Sequence, residues 1–166
     1  TISFTSGIDS TYDEYVFKFI NIHPATSNAT VTFQGSINGG SSYGITATTT
    51  FFQARLNEDG SGEEFIFNGG QSQSSNFISI SNAIKNDNDC SSSGTIRLFG
   101  LSSNTFVKHF IAESNSIYTH PSLGDFLLNV YSAGYLNDGS NDVNAIQFKM
   151  SSGNMDSGTI KMYGIS

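Results

Sequence analysis

The chain has no tryptophan, one cysteine, two prolines and seven cations in 166 residues. One thiol, Cys90, makes no internal disulfide and offers no second cysteine to a metal; it reads as a small residue in a polar turn. The two prolines follow histidines, as His23-Pro24 and His120-Pro121. A residue before proline is pushed toward extended backbone, so both pairs are predicted to mark strand exits. A metal site built on these histidines would need a third ligand that the sequence does not indicate. His109, beside Lys108, reads as an exposed strand residue. The cations Lys18, Arg55, Lys85, Arg97, Lys108, Lys149 and Lys161 are scattered, are expected mostly on solvent faces of strands, and are outnumbered two to one by 14 acids. A surface that tracks phosphates needs clustered Lys and Arg, so nucleic-acid binding is not expected. Attraction to an anionic membrane is disfavoured for the same reason. No apolar run approaches the roughly 20 residues of a spanning helix, so no membrane insertion is expected. No signal-peptide pattern is visible. The first residue is Thr rather than Met, which leads us to expect a segment before it.

Charged residues are 13% of the chain, about half the usual share of roughly 25%. A disordered chain has few aromatics and many charges; this one has 14 Phe and 7 Tyr. The length fits one domain, residues 1–166, large enough to bury a core.

What the chain has in quantity is short alternating segments separated by Gly, Ser and Asn. Period-two alternation marks Tyr15 to His23, with Tyr15, Phe17, Phe19 and Asn21 on one face. It recurs at Thr30–Gln34, Thr46–Ala54, Phe65–Phe67, Phe77–Ile80, Thr105–Ile111, Phe126–Tyr135 and Ala145–Met150. Between these lie Asn38-Gly39-Gly40, Glu58-Asp59-Gly60-Ser61-Gly62, Asn68-Gly69-Gly70, Asn137-Asp138-Gly139 and Ser152-Gly153-Asn154, residues that accept positive φ. No long helix is indicated. The pattern predicts an all-β, antiparallel β-sandwich of about 10–12 short strands, with a jelly roll as the expected form.

A ten-residue repeat supports internal pseudo-symmetry. Ser93-Gly94-Thr95-Ile96-Arg97-Leu98-Phe99-Gly100-Leu101-Ser102 returns as Ser157-Gly158-Thr159-Ile160-Lys161-Met162-Tyr163-Gly164-Ile165-Ser166, with six identities and four conservative exchanges. Both copies read as strands in equivalent places. Thr95–Phe99 and Thr159–Tyr163 are expected to be paired core strands, with Ile96 and Ile160 facing inward.

Chemistry-bearing patterns are few. No Gly-x-Ser-x-Gly elbow sits between a strand and a helix. Glu63-Glu64 and Asp13-Glu14 are adjacent, so on strands their carboxylates point to opposite faces. The chain therefore reads as non-enzymatic, with no catalytic residues and no cofactor. Asn86-Asp87-Asn88-Asp89 and Asn137-Asp138-Gly139-Ser140-Asn141-Asp142 cluster oxygen donors in loops. That makes Asp87, Asp89, Asp138 and Asp142 weak calcium candidates, although neither stretch is a twelve-residue calcium loop. Asx-rich turns also arise simply because these side chains bond their own backbone. Tyr12, Tyr43, Tyr118, Tyr131 and Tyr135 fall near loops and strand ends. They are candidates for stacking on sugar rings or for covering an interface.

Two terminal stretches carry a resemblance. The chain opens with Ile2-Ser3-Phe4-Thr5-Ser6-Gly7-Ile8-Asp9-Ser10-Thr11-Tyr12 and Tyr15 through Thr26. It closes with Phe148-Lys149-Met150-Ser151-Ser152-Gly153-Asn154 and Gly158 through Ile165. With Thr48–Phe52 and Thr105–Phe110 between them, the whole resembles structural proteins of tailed bacteriophages, especially marine ones that infect cyanobacteria. The resemblance implies a virion component, as capsid decoration or cement or as a tail-fibre-like part, made in the host cytoplasm and exposed on the particle. It implies partners of the same kind: copies of itself, a homotrimer being the expected form, and major capsid or tail proteins. A receptor-binding module for host surface glycan is the alternative; a glycan-cleaving tailspike is disfavoured because no carboxylate pair is visible.

Overall fold

The computed structural model describes residues 1–67, 69–120, 122 and 124–166. Asn68 of one predicted turn and Pro121 of the second His-Pro pair lie outside them, as does the side chain of His120. Among the described residues every regular element is a strand. They are β1 (Ile2–Phe4), β2 (Glu14–Pro24), β3 (Val31–Ser36), β4 (Thr46–Asn57), β5 (Glu64–Phe67), β6 (Ile78–Ser79), β7 (Ser92–Phe99), β8 (Lys108–His120), β9 (Gly124–Asn137), β10 (Ala145–Met150) and β11 (Met155–Ile165).

The strands form two wholly antiparallel sheets that pack as a sandwich. One has the order β1-β10-β3-β6; the other has the order β11-β2-β7-β8-β9-β4-β5. The predicted β-sandwich and its strand number are met, and these orders are compatible with a jelly roll. Alternation explains the packing. Tyr15, Phe17 and Phe19 of β2, Ile96 and Leu98 of β7, and Phe110 of β8 are buried from the large sheet. Val31, Phe33, Ile146 and Phe148 meet them from the small one. Aromatic edges join the layers: Phe4 to Phe17 at 5.0 Å, Phe17 to Phe148 at 5.2 Å, and Phe33 to Phe110 at 5.0 Å between ring centroids. Such tilted and edge-on pairs add to what area burial alone contributes.

Four expectations are corrected. Asn21 does not face the core: it takes φ 51° at a bulge, is exposed, and passes the inward position to Ile22, which is fully buried. An extra residue in one strand shifts the side-chain phase in this way. The third long strand begins at Lys108 rather than Thr105 and continues to His120, so Phe106 sits in a loop, 72% exposed. Lys108 is not on a solvent face but fully buried. Finally, the repeat copies do not pair with each other. Each pairs with β2, one on either side, and β11 is an edge strand whose Ile160 is only half-buried.

Candidate functional site

The outer face of the seven-stranded sheet carries the least expected surface. Period two sends every second residue of each strand away from the core. On β4 and β9 these include Phe52, Ala54 and Leu56, and Leu127, Asn129 and Tyr131. Leu56 lies directly opposite Leu127, and Phe52 opposite Tyr131. β5 adds Phe65 opposite Ala54 and Phe67 opposite Phe52. β5 is the sheet's other edge, with no strand paired on its far side among the described residues, and Phe65 and Phe67 stand 66% and 71% exposed. Phe52 is stacked on Tyr131 at 5.0 Å and lies 5.4 Å from Phe65. The Tyr131 hydroxyl donates to Glu113 Oε1 at 3.1 Å. A trough of about 600 Å³ runs between Leu56, Phe65, Leu127 and Asn129.

The rest of this face mixes exposed apolar residues with polar and charged ones, among them Lys18, Thr95, Arg97, Glu113 and Lys161. Ile111, Ile20, Tyr163 and Ile165 are exposed. Lys18 lies over the Tyr163 ring at 5.7 Å, and Arg97 over Phe99 at 5.3 Å. Arg97 also grips Glu14 through two bonds, Nε to Oε1 at 2.5 Å and Nη2 to Oε2 at 3.0 Å. That bond holds the Glu14 carboxyl below its ordinary range. Towards the end of the sheet at Thr46, Tyr135 and His109 are cross-strand neighbours with rings 6.3 Å apart, beside a trough of about 500 Å³.

The five tyrosines singled out from the sequence do not converge. Tyr131 and Tyr135 share the outer face of β9. Tyr12 lies at the opposite edge, edge-on to Tyr15 at 5.9 Å, its ring resting where a side chain on Gly164 would stand. Tyr43 sits at an end of the sandwich with its hydroxyl buried against Gly40. Tyr118 stacks on Phe126 at 6.4 Å.

The acids are likewise dispersed. Asp87 pairs with Lys85 at 3.2 Å, and its carbonyl is 3.1 Å from His23 Nε2. Asp89 adjoins Cys90, whose Sγ lies 3.8 Å from Asp89 Oδ1. Asp138 receives the buried Lys108 ammonium at 2.7 Å, and Asp142 is exposed. Among the described residues no three His, Cys, Asp or Glu side chains gather as a set able to hold a metal ion. Burial raises the Cys90 thiol above its ordinary value, and the nearby Asp89 and Asp87 charges add to this.

Phe65, Phe67, Leu56 and Leu127 were not singled out from the sequence. Their signal was present: Phe65-Ile66-Phe67 is apolar on both faces of a strand, where a one-sided sheet strand alternates with polar residues. Comparison with models of known protein families, with curated proteins and with solved structures finds no match.

Proposed function

We propose that this chain is a non-enzymatic structural module of a bacteriophage particle that assembles with copies of itself through the outer face of its seven-stranded sheet. The observation that carries the reading is the apolar corner formed by Phe52, Leu56, Phe65, Phe67, Leu127 and Tyr131. Single exposed apolar residues are ordinary, but a contiguous patch marks a surface that another molecule covers. Aromatic enrichment with little charge is the composition of an interface core. The virion context rests on the resemblance of the terminal stretches to phage structural proteins. Low charge, antiparallel sheets and a core closed by aromatic contacts suit a durable exposed part, and repeated copies multiply modest contacts.

Reconstruction of the intact particle by electron cryomicroscopy tests the context. Many copies on the head would support decoration or cement, and a few at the tail would support adsorption machinery. Absence of the chain from the particle would overturn the virion reading. Sedimentation of the purified protein tests self-assembly: an oligomer, with three copies expected, supports it, and a monomer at high concentration removes it.

A further inference from the structure

The apolar corner at β5 has a counterpart at the opposite edge of the same sheet, and the two differ in charge. Of the seven cations, four are held in ion pairs: Arg55 with Glu64, Lys85 with Asp87, Arg97 with Glu14 and Lys108 with Asp138. Lys149 lies over the Phe77 ring at 3.8 Å. Lys18 and Lys161 remain. They stand directly opposite each other on β2 and β11, both exposed, and neither is in an ion pair among the described residues. Like charges directly opposite on paired strands destabilise them. A chain with 14 acids nonetheless leaves these two lysines side by side without one. Exposed Ile20, Tyr163 and Ile165 stand around them.

At β5 the sign is reversed. Glu63 lines the trough with Leu56, Phe65 and Leu127. Glu58 stands at the other end of the turn that joins β4 to β5. Both are exposed, and neither is in an ion pair among the described residues. The Arg55 guanidinium beside them is taken by Glu64. The two patches are therefore alike in apolar character and opposite in charge. Corner against corner would set Glu58 and Glu63 against the same acids of another copy, and edge against edge would set lysines against lysines. Such like-charge contacts are strongly unfavourable across an interface. Edge against corner sets Lys18 and Lys161 against Glu58 and Glu63, and apolar side chains against apolar side chains. One chain carries both halves of this match, which identifies the occupant of each patch as a second copy.

We propose that copies of this chain join head to tail, the Lys18–Lys161 edge of one docking on the acidic, apolar corner of the next. This contact presupposes the self-assembly proposed above and adds to it the second surface and its polarity. The two patches lie at opposite edges of one sheet, so one copy engages two neighbours at once. A contact between two different patches closes into a ring where its rotation permits, as three copies require.

The test is sedimentation of the wild-type chain and of two charge-reversed variants, Lys18→Glu with Lys161→Glu, and Glu58→Lys with Glu63→Lys. All four positions are exposed, and circular dichroism verifies each fold. The wild type is expected to assemble, and each variant alone to associate about a hundredfold more weakly. A one-to-one mixture of the variants is expected to associate again, because the intact corner of the first receives the intact edge of the second. Either variant assembling alone as tightly as the wild type, or a mixture that stays monomeric, would overturn the head-to-tail contact while the self-assembly of the wild type stands. A monomeric wild type would remove both. Should a variant lose its fold, wild-type association at about 0.05 M and about 0.5 M NaCl decides. Salt screens exposed charges, so weakening of about tenfold is expected, and no weakening would overturn the contact.

Discussion

Ile96 and Ile160 occupy the same place in the ten-residue repeat and the same inward face, yet their surroundings differ. Ile96 is fully buried in a central strand; Ile160 is half-buried at an edge. Ile96→Ala is expected to cost about 2–5 kcal/mol, and Ile160→Ala about half of that, because the edge can close over the lost volume. Urea unfolding of the two variants measures both, and equal costs would place the two strands equally deep. Lys108 shows what sequence reading could not supply. Its neighbours Val107 and His109 give no sign that a lysine turns inward, since the Asp138 partner lies thirty residues away. Lys108→Met alone is expected to cost about 3–5 kcal/mol by leaving Asp138 charged and unpaired in the interior. Replacing Asp138 as well, by Leu, is expected to recover most of it, measured in the same urea experiment. Glu14 governs part of the acid response. Its folded-state pKa is lowered by the bond to Arg97, so its contribution is complete above the ordinary value of 4.5 and is lost as the pH falls through the folded value. Arg97 is half-exposed and solvent screens the pair, so the effect is modest. Glu14→Gln is expected to flatten the loss of stability below pH 4.5 in thermal melts.

The repeat makes sense at the scale of the strand. β7 and β11 flank β2 on its two sides, both antiparallel to it, and so meet the same neighbour. Each copy brings a glycine to the stretch Phe19–Ile22 of β2. A side chain on Gly94 would lie 2.3 Å from the Glu113 carbonyl and 2.6 Å from the Phe19 ring. One on Gly158, at φ +119°, would lie 2.8 Å from the Asn21 carbonyl. Six shared identities thus reflect one shared partner rather than a shared ligand. Gly94→Ala is expected at the upper end of the roughly 1–3 kcal/mol that overpacking costs, because backbone blocks it on a central strand. Gly158→Ala is blocked by the Asn21 and Ile22 backbone and adds the strain of an L residue at φ +119°, so it is expected to cost a similar amount although β11 is an edge strand; guanidinium unfolding compares them. The equivalence of the copies was legible in the sequence. Their partner was not, because the Asn21 bulge that selects it leaves only one asparagine as its trace.

At the scale of the molecule the apolar corner is the surface through which self-assembly is proposed. Phe65→Ser with Phe67→Ser removes the two most exposed rings of β5 without touching the core. If the proposed assembly forms, the pair is expected to dissociate it while leaving the melting temperature of the monomer nearly unchanged, read by sedimentation and circular dichroism. An unchanged oligomer would move the interface elsewhere on the sheet.

Composition and alternation by themselves determined an all-β sandwich, because period two and glycine-rich turns are local properties of the chain. They also determined which residues share a face along an unbroken strand, a rule that the bulge at Asn21 interrupts in β2. Only the tertiary structure decided which faces meet another layer and which meet solvent. Phe17 and Phe65 are the same residue in the same kind of pattern, one sealed between sheets and the other on an open edge. Strand order sets that difference, through contacts between residues far apart in sequence. The same long-range pairing brought Lys108 to Asp138 and held the five candidate tyrosines apart.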